Sequence, residues 1–340
     1  MAVFTEVSFD EAARFVEPLG VGALRALRGI GAGIENTNYF VTTDRGEYVL
    51  TLFERLTHAQ LPFYLRLMQH LARKGIPVPE PKADASGEIL FTLKHRPAAL
   101  VDKLAGGHQL APDVHHCEQV GAMLARMHLA GQDFALAQPN LRGLAWWEET
   151  VPVVLPFLDE AQARLLTGEL AYQQALASSP AYQALPRGPI HADLFRDNVM
   201  FEPAPLPSGD AASNMRSLPG RERLSGFFDF YFAGVDTWLF DIAVCLNDWC
   251  IDLDSGHMVE DRSRAFIAAY AGVRPLAGGE QRLLPALLRA AAFRFWLSRL
   301  WDFHLPREAS LLKAHDPTHF ERVLRERIER PWHPAELGGA

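Results

Sequence analysis

Three polar residues between two apolar runs have the types and the spacing of a phosphoryl-transfer loop. One residue separates His191 from Asp193, and Asn198 follows five positions after the aspartate. In kinase-type catalytic loops, such an aspartate takes the proton of the acceptor hydroxyl and the asparagine reaches a magnesium ion. The spacing therefore predicts Asp193 as the catalytic base and Asn198 as a metal ligand. We expect His191 to hold the loop rather than to carry a proton.

A second carboxylate for the metal is present further along the chain. Asp229 stands near the end of the apolar run 224–230, which is expected to form a strand beside the loop. Amide and carboxylate oxygens are hard ligands that suit Mg²⁺, so Asp229 is predicted to share the ion with Asn198. His-x-Asp alone is also compatible with ordinary turn residues, but the whole set favours phosphoryl transfer. Asp241 precedes an apolar helix and is predicted to cap it.

The elements around these residues form two groups. Strands are predicted at 24–30, 39–43 and 48–53, with a glycine-bearing turn after the first, then a helix at 60–74 and a last strand at 89–93. This order is typical of lobes that cover ATP phosphates, although a plain β-meander needs turn glycines too, so both interpretations stay open. Further helices are predicted at 238–250, 262–270, 283–303 and 318–329. Residues 203–223 are rich in Pro, Ser, Gly and Ala and are predicted to be an exposed insertion.

Composition argues against several other classes of protein. With 340 residues, 49% of them hydrophobic, the chain can form two lobes. A net charge of −8 and the lack of a basic run argue against a nucleic-acid partner. No uncharged apolar run reaches ~18 residues, which argues against a membrane span. An acidic N-terminal segment argues against a signal peptide, and three cysteines without a C-x-x-C pattern indicate buried thiols in a reducing cytoplasm.

Six stretches resemble a known family. They are residues 33–39, 61–65, 191–201, 229–234, 246–250 and 294–300. Through them the chain resembles the aminoglycoside phosphotransferase/choline kinase family of kinase-like proteins, and within it the bacterial homoserine kinases. The resemblance covers nearly the whole chain. The first and third stretches are typical of the superfamily, and the last two are the more specific to homoserine kinases.

The resemblance implies an α+β, two-lobe protein-kinase-like fold. Residues 1–97 would form a β-rich nucleotide-binding lobe and residues 98–340 a mainly helical catalytic and acceptor-binding lobe, with a hinge around 94–101. ATP would be the co-substrate with Mg²⁺, and Asp241 would brace the catalytic loop. The residues expected to contact the nucleotide are Gly31, Gly33, Asn36 and Asn38.

Some positions depart from the family pattern. The third strand has Thr51 where kinase-like folds usually have a basic residue, and Gln60 begins the helix that would carry its glutamate partner. The basic residue and its glutamate partner are absent together, as expected, because a buried glutamate without its cation would be destabilising. Phosphate charge is then left to magnesium, to the backbone and to cations such as Lys94 or Lys103. Ala192 stands where many relatives have glycine.

Acceptor binding is predicted in the distal helices. Asp248 could face an ammonium group, and Arg294 and Arg299 lie in an aromatic-rich helix, where either could hold a carboxylate. At 100° per residue the two arginines are about 140° apart, so they do not form one stripe. The alternative is that they extend to solvent or pair with a nearby acid such as Asp302.

The predicted activity is transfer of the γ-phosphoryl group of MgATP to the hydroxyl of L-homoserine, a step toward threonine, by a cytoplasmic monomer or homodimer. One alternative is another small-molecule kinase of the family, acting on choline, methylthioribose, hydroxylysine or an aminoglycoside. A second is a non-catalytic pseudokinase, suggested by Thr51 and Gln60. The intact set of Asp193, Asn198 and Asp229 argues against the pseudokinase.

Overall fold

The computed structural model describes residues 5–31, 36–204, 222–305 and 316–334. The chain divides into two compact units. The first unit is Met1–Ala105 with Gly226–Phe228, and the second is Gly106–Ser225 with Asp229–Ala340. One contains a five-stranded sheet and the other is mainly helical, so the predicted α+β class is confirmed.

The first unit is built on an antiparallel sheet with the strand order β1-β2-β3-β5-β4. Its elements are α1 (Phe9–Val16), β1 (Leu24–Gly29), β2 (Asn36–Thr43), β3 (Glu47–Phe53), α2 (Leu61–Arg73), β4 (Phe91–Leu93) and β5 (Arg96–Asp102). Ser8 and Glu11 form the capping box of α1. Val16 of this helix shares a hydrophobic cluster with Leu50 and Leu100 of the sheet. Alternation along β2 thus buries one face of the sheet under α1, whereas the last four residues of β3 are all buried.

One expectation for this unit is wrong. Residues 94–101 do not form a hinge, because Lys94 and His95 make the turn of a β4–β5 hairpin at φ 53° and 60°. β5 then runs between β3 and β4, and Ala99 pairs with Thr51. Pro97 lies opposite Thr92 near the start of β5, where the missing N–H can be tolerated. The predicted lobe boundary at 97/98 lies inside this strand.

The second unit packs its helices around one long apolar helix, α9. The helices are α3 (Val114–Ala130), α4 (Leu144–Val154), α5 (Glu160–Ala177), α6 (Pro180–Gln183), α7 (Trp238–Trp249), α8 (Glu260–Val273), α9 (Gly278–His304) and α10 (Thr318–Glu329). Helix α9 contacts α4, α5, α7 and α10, and α3 packs along α8. A Cβ at Gly121 would lie 2.3 Å from the carbonyl oxygen of Phe266, so only glycine allows α3 and α8 to come this close.

Two short strand pairs position the loops of the site. β6 (Arg187–Ile190) pairs antiparallel with β9 (Gly234–Thr237), and β7 (Val199–Pro203) pairs with β8 (Glu222–Phe227). Residues 191–198 connect β6 to β7, and residues 228–233 connect β8 to β9. Because Ile190 lies opposite Gly234, one loop begins where the other ends. Most of the predicted insertion, residues 205–221, lies outside the described residues.

In the described ranges, no helix is both long enough and apolar enough to cross a membrane.

Candidate active site

One buried carboxylate contacts the main chain of loop 191–198. Asp241, in the first turn of α7, accepts hydrogen bonds from the N–H groups of His191 and Ala192, each at 2.8 Å. Ala192 has a φ of 64°, in the left-handed region that glycine adopts at less cost. The residue that caps α7 is Thr237, so the prediction that Asp241 caps this helix is wrong. The geometry supports a bracing role for Asp241.

Asp241 is in turn held by a buried chain of polar side chains. His128 Nε2 lies 3.1 Å from its carboxylate, and His128 Nδ1 lies 2.7 Å from the hydroxyl of Tyr270. That hydroxyl also accepts from Arg274 Nε at 3.0 Å, and Arg274 pairs with Glu280. Burial alone would raise the pKa of Asp241, but its hydrogen bond with His128 and its contacts with His191 hold it below the usual value. The brace is therefore an ionised carboxylate.

Two loop residues hold the main chain of Asp193. The fully buried ring of His191 accepts the N–H of Asp193 at Nδ1, at 3.3 Å, and packs on Phe230 with ring centres 4.5 Å apart. The side-chain amide of Asn198 donates to the carbonyl oxygen of Asp193 at 2.8 Å. Both contacts arise from the spacing within one short loop. They fix where the carboxylate of Asp193 can point.

The carboxyl group of Asp193 is electrostatically unusual. Burial raises its pKa to about 7, against the opposing positive charge of Arg294; Asp229 raises it further, Arg299 opposes, and Asp197 adds a little. The side chain is 17% exposed, so it remains reachable. A carboxyl group with a pKa near the working pH can both accept and release a proton, as general-base catalysis requires. The pKa of Asp193 thus responds to four charged residues: Arg294, Asp229, Arg299 and Asp197.

The two predicted metal ligands have the donor atoms that magnesium prefers. Because the amide nitrogen of Asn198 donates to Asp193, its amide oxygen is the atom left for a metal. Asp229 follows β8 at φ 66° and ψ 58°, a conformation that aspartate tolerates better than most residues. Its charge is close enough to Asp193 to raise the pKa of that carboxyl. One amide and one carboxylate oxygen near the base fit a magnesium ion.

Asp248 is engaged by the loop itself. Its carboxylate accepts the main-chain N–H of Arg196 at 2.8 Å and the Nε of the same residue at 3.1 Å. On either side of it, Asn247 accepts from Arg327 Nε, and Trp249 Nε1 donates to the carbonyl oxygen of Leu194. The run 247–249 therefore anchors the loop from α7. These contacts give Asp248 a structural role in the loop, and its expected contact with a substrate ammonium group stays a prediction.

Two arginines of α9, Arg294 and Arg299, both lower the pKa of Asp193. Arg294 is 3% exposed, and its NH1 lies 3.8 Å from Asp193 Oδ1. Its Nε and NH2 atoms have no hydrogen-bond partner among the described residues. Burial lowers the pKa of Arg294 to about 10, Asp193 opposes this, and Arg142 and Arg299 add to the lowering. Arg299 is half-buried, and burial lowers its pKa while Asp193 and Asp302 oppose.

The predicted nucleotide residues lie in the first unit. Gly31 follows β1, and Asn36 and Asn38 lie on β2, whereas Gly33 is outside the described residues. The hydroxyl of Thr51 donates to the side-chain oxygen of Asn38 at 2.8 Å, so a neutral pair occupies the usual place of the strand cation. Lys94 pairs with Glu11 at 2.7 Å, and Lys103 pairs with Glu47 at 2.9 Å. The predicted contacts of Gly31, Gly33, Asn36 and Asn38 with the nucleotide stay predictions.

Sequence comparison places the chain among phosphotransferases. The model of the phosphotransferase enzyme family matches residues 26–209 and 211–276. The chain is 64% identical over 332 residues to a homoserine kinase of Polaromonas naphthalenivorans, covering 98% of this chain and 99% of the relative. It is 58% identical over 332 residues to a homoserine kinase of Ralstonia nicotianae, with 96% of each chain covered.

Solved structures agree on the fold. The amicoumacin kinase hAmiN, in complex with AMP-PNP, Ca²⁺ and Ami, matches with a TM-score of 0.68 at 17% identity, covering 96% of this chain and 95% of the other. An ethanolamine kinase of Plasmodium vivax matches with a TM-score of 0.59 at 14% identity, covering 89% and 82%. At such low identity these matches establish the fold alone.

Proposed function

The chain belongs to the phosphotransferase enzyme family, and from this premise we propose that it transfers the γ-phosphoryl group of ATP to the side-chain hydroxyl of L-homoserine. The product is O-phospho-L-homoserine, an intermediate on the route to threonine, and we place the enzyme in the cytoplasm. The full-length homoserine kinases that resemble it support this acceptor. The observation in the structure that carries it is the buried guanidinium of Arg294 beside Asp193.

Asp193 is the group that handles the acceptor proton. The hydroxyl of homoserine donates to its carboxylate, which is held in position by His191 and Asn198. As the acceptor oxygen bonds to the γ-phosphorus and the bond from that phosphorus to the ADP oxygen breaks, the proton passes to Asp193. Its pKa of about 7 suits acceptance near neutral pH. The proton that Asp193 gains makes it neutral, and Asp193 becomes ionised again when this proton is released to solvent.

Asn198 and Asp229 are the residues that hold magnesium when MgATP is bound. The ion then supplies positive charge to the phosphates, which is most of what phosphoryl transfer needs besides in-line positioning. Asp241 keeps the loop in register by accepting its two N–H groups. Gly31, Gly33, Asn36 and Asn38 are proposed to contact the nucleotide.

Arg294 selects among acceptors by their charge. A guanidinium with two unpaired nitrogen atoms in a buried position is costly unless an anion binds it. The carboxylate of homoserine, three carbons from the reacting hydroxyl, is such an anion. Choline and aminoglycosides are cationic and would be repelled by Arg294 and Arg299. The set of Asp193, Asn198 and Asp229 likewise favours an enzyme over a pseudokinase.

A panel of acceptors tests the proposal. With ATP and Mg²⁺, ADP release should be fastest with L-homoserine and slower with its amide, choline, methylthioribose, hydroxylysine and an aminoglycoside. Arg294→Gln should raise KM for homoserine, since truncating a buried charge pair costs ~2–5 kcal/mol, and should leave KM for ATP unchanged. Arg282→Gln is the control, because Arg282 is an exposed arginine of the same helix. Faster turnover of any other acceptor than of homoserine would show the substrate assignment to be wrong.

A further inference from the structure

The buried polar chain that ends at Asp241 joins side chains from three helices. His128 lies on α3, Tyr270 and Arg274 lie at the end of α8, and Glu280 lies in the first turn of α9. All four side chains are buried. The positions of the protons in this chain decide whether Asp241 receives a third donor, besides the two N–H groups of the catalytic loop.

The Arg274 end of the chain can only donate. A guanidinium group has no acceptor atom, and Arg274 Nε donates to the hydroxyl oxygen of Tyr270 at 3.0 Å. Its NH1 and NH2 atoms pair with the carboxylate of Glu280, which also accepts the N–H of Ala277. This two-point pair leaves Nε as the nitrogen that faces Tyr270. The hydroxyl oxygen is therefore the acceptor in its contact with Arg274, and its own proton is free to be donated.

The proton of the Tyr270 hydroxyl goes to His128. His128 Nδ1 lies 2.7 Å from the hydroxyl oxygen, and among the described residues this oxygen bonds only to Arg274 and His128. If Nδ1 carried a proton of its own, the hydroxyl proton would be buried without an acceptor, which is destabilising. Tyr270 therefore donates to Nδ1. A neutral imidazole whose Nδ1 is an acceptor carries its proton on Nε2.

The Asp241 end of the chain requires the same form of the ring. His128 Nε2 lies 3.1 Å from the carboxylate, which accepts a loop N–H at each of its oxygens. An unprotonated Nε2 would place two acceptors against each other, whereas a protonated Nε2 donates. Burial lowers the pKa of His128, Asp241 opposes this, and Arg274 lowers it further. Both ends thus favour a neutral ring with its proton on Nε2.

The plane of the His128 ring is fixed by stacking. The ring lies parallel to the indole of Trp238, with centres 5.5 Å apart and planes 7° apart. The guanidinium carbon of Arg274 lies 4.7 Å from the centre of the same indole. Because Trp238 holds the plane of the imidazole, the Nε2–H bond keeps its direction toward Asp241.

We propose that His128 is a positioning residue for phosphoryl transfer: it donates its Nε2 proton to Asp241, and Arg274, acting through Tyr270, keeps that proton on Nε2. The proposal rests on the proposed function and deepens it, because the loop that Asp241 holds carries Asp193. Without the donor from His128, the carboxylate of Asp241 can turn away from the two loop N–H groups. His128 is fully buried, so it acts on the chemical step through the loop.

The position of the proton can be measured by nitrogen NMR of protein labelled with ¹⁵N-histidine. At neutral pH we expect a proton on Nε2 of His128 and none on Nδ1, with the signals assigned by their loss in His128→Gln. Tyr270→Phe should move the Nδ1 signal downfield, toward that of an unprotonated nitrogen without a hydrogen bond, and should leave Nε2 protonated. A proton on Nδ1 in the parent, or an Nδ1 signal that Tyr270→Phe does not move, would overturn the proposal.

Two amide substitutions separate the two hydrogen bonds of the ring. His128→Gln places an amide near the site of Nε2, where it can donate to Asp241, whereas the shorter His128→Asn reaches only the site of Nδ1 beside Tyr270. We expect kcat within about threefold of the parent in His128→Gln, and about tenfold or more lower in His128→Asn and His128→Leu, because a displaced loop misplaces the base. KM for ATP should stay within about twofold in all three variants.

A histidine that only supports packing would give another pattern. With kcat measured well below each melting temperature, equal values in His128→Gln and His128→Asn, or the parental value in His128→Leu, would overturn the positioning role. If these variants do not fold, the spectra of the parent and of Tyr270→Phe decide the proposal alone. A parent that turns over no acceptor would overturn the proposed function, and the spectra would still decide where the proton lies.

Discussion

Replacing Asp193 by asparagine should make the protein nearly inactive and, at the same time, more stable. The change removes the proton acceptor while keeping the shape of the side chain, so kcat should fall by ~10²–10⁴-fold. The gain in stability has a separate cause. Burial makes the ionised carboxylate unfavourable in the folded protein, and its pKa of about 7 measures that cost after the attraction of Arg294 is included.

The size of the gain follows from the pKa. An unperturbed aspartate has a value of 3.8, and the folded value is about 7. At about 1.4 kcal/mol per unit, the ceiling is about 4 kcal/mol, and partial exposure of the side chain lowers the expected gain to about 2 kcal/mol. The sign follows from linkage. Because the pKa of Asp193 is higher in the folded protein, its contribution to stability is fully present below the pKa of the unfolded chain. That contribution is lost as the pH rises through the pKa of the folded protein. The variant should therefore match the parent near pH 4 and exceed it above pH 7.

Urea unfolding in EDTA at several values between pH 4.5 and 8.5 measures this difference, because EDTA removes metal that would itself stabilise the carboxylate. Asp197→Asn is the control, since Asp197 is an exposed carboxylate of the same loop. The reasoning is refuted if Asp193→Asn is less stable than the parent at pH 8, or if its advantage does not grow with pH. Parental turnover by the variant would separately remove Asp193 from the role of base.

Three further changes test neighbouring parts of the site. Asp229→Ala should abolish magnesium-dependent turnover while the far-ultraviolet circular dichroism stays unchanged, because the loss is of a metal ligand; a magnesium titration that superimposes on the parental one would contradict this. Ala192→Gly should raise stability by about 1 kcal/mol in urea unfolding, because the left-handed φ of 64° strains alanine; a clear loss of stability would show that the buried methyl group matters more. Tyr270→Phe should lower the free energy of unfolding by about 1–3 kcal/mol, because it leaves buried groups of His128 and Arg274 without this partner. A melting temperature equal to the parental value would show that these hydrogen bonds do not stabilise the fold.

Local patterns explain what could be predicted from the sequence. The loop 191–198 is one short segment, so its spacing alone indicated which side chains would meet. Strand periodicity and capping residues likewise placed most elements, including α10, whose bounds match the predicted residues 318–329. The hairpin at 94–95 was missed because a run that begins with Pro97 does not resemble a buried strand.

Contacts between distant segments could not be predicted. The contact of Asp248 with the loop depends on Arg196, 52 residues earlier, lying beside it. Helical spacing put Arg294 and Arg299 on different sides of α9, yet both charges act on Asp193, because long side chains reach around a helix.

The most direct test of the central claim identifies the product. The purified protein is incubated with ATP, Mg²⁺ and L-homoserine, and the phosphorus signals are followed by ³¹P nuclear magnetic resonance with coupling to protons. We expect one O-phospho-L-homoserine, with its phosphorus coupled to the γ-methylene protons, for each ADP formed, and formation of both products ~10²-fold or more slower in Asp193→Asn. ADP that accumulates without phosphohomoserine, or phosphohomoserine formed equally well by Asp193→Asn, would contradict the account.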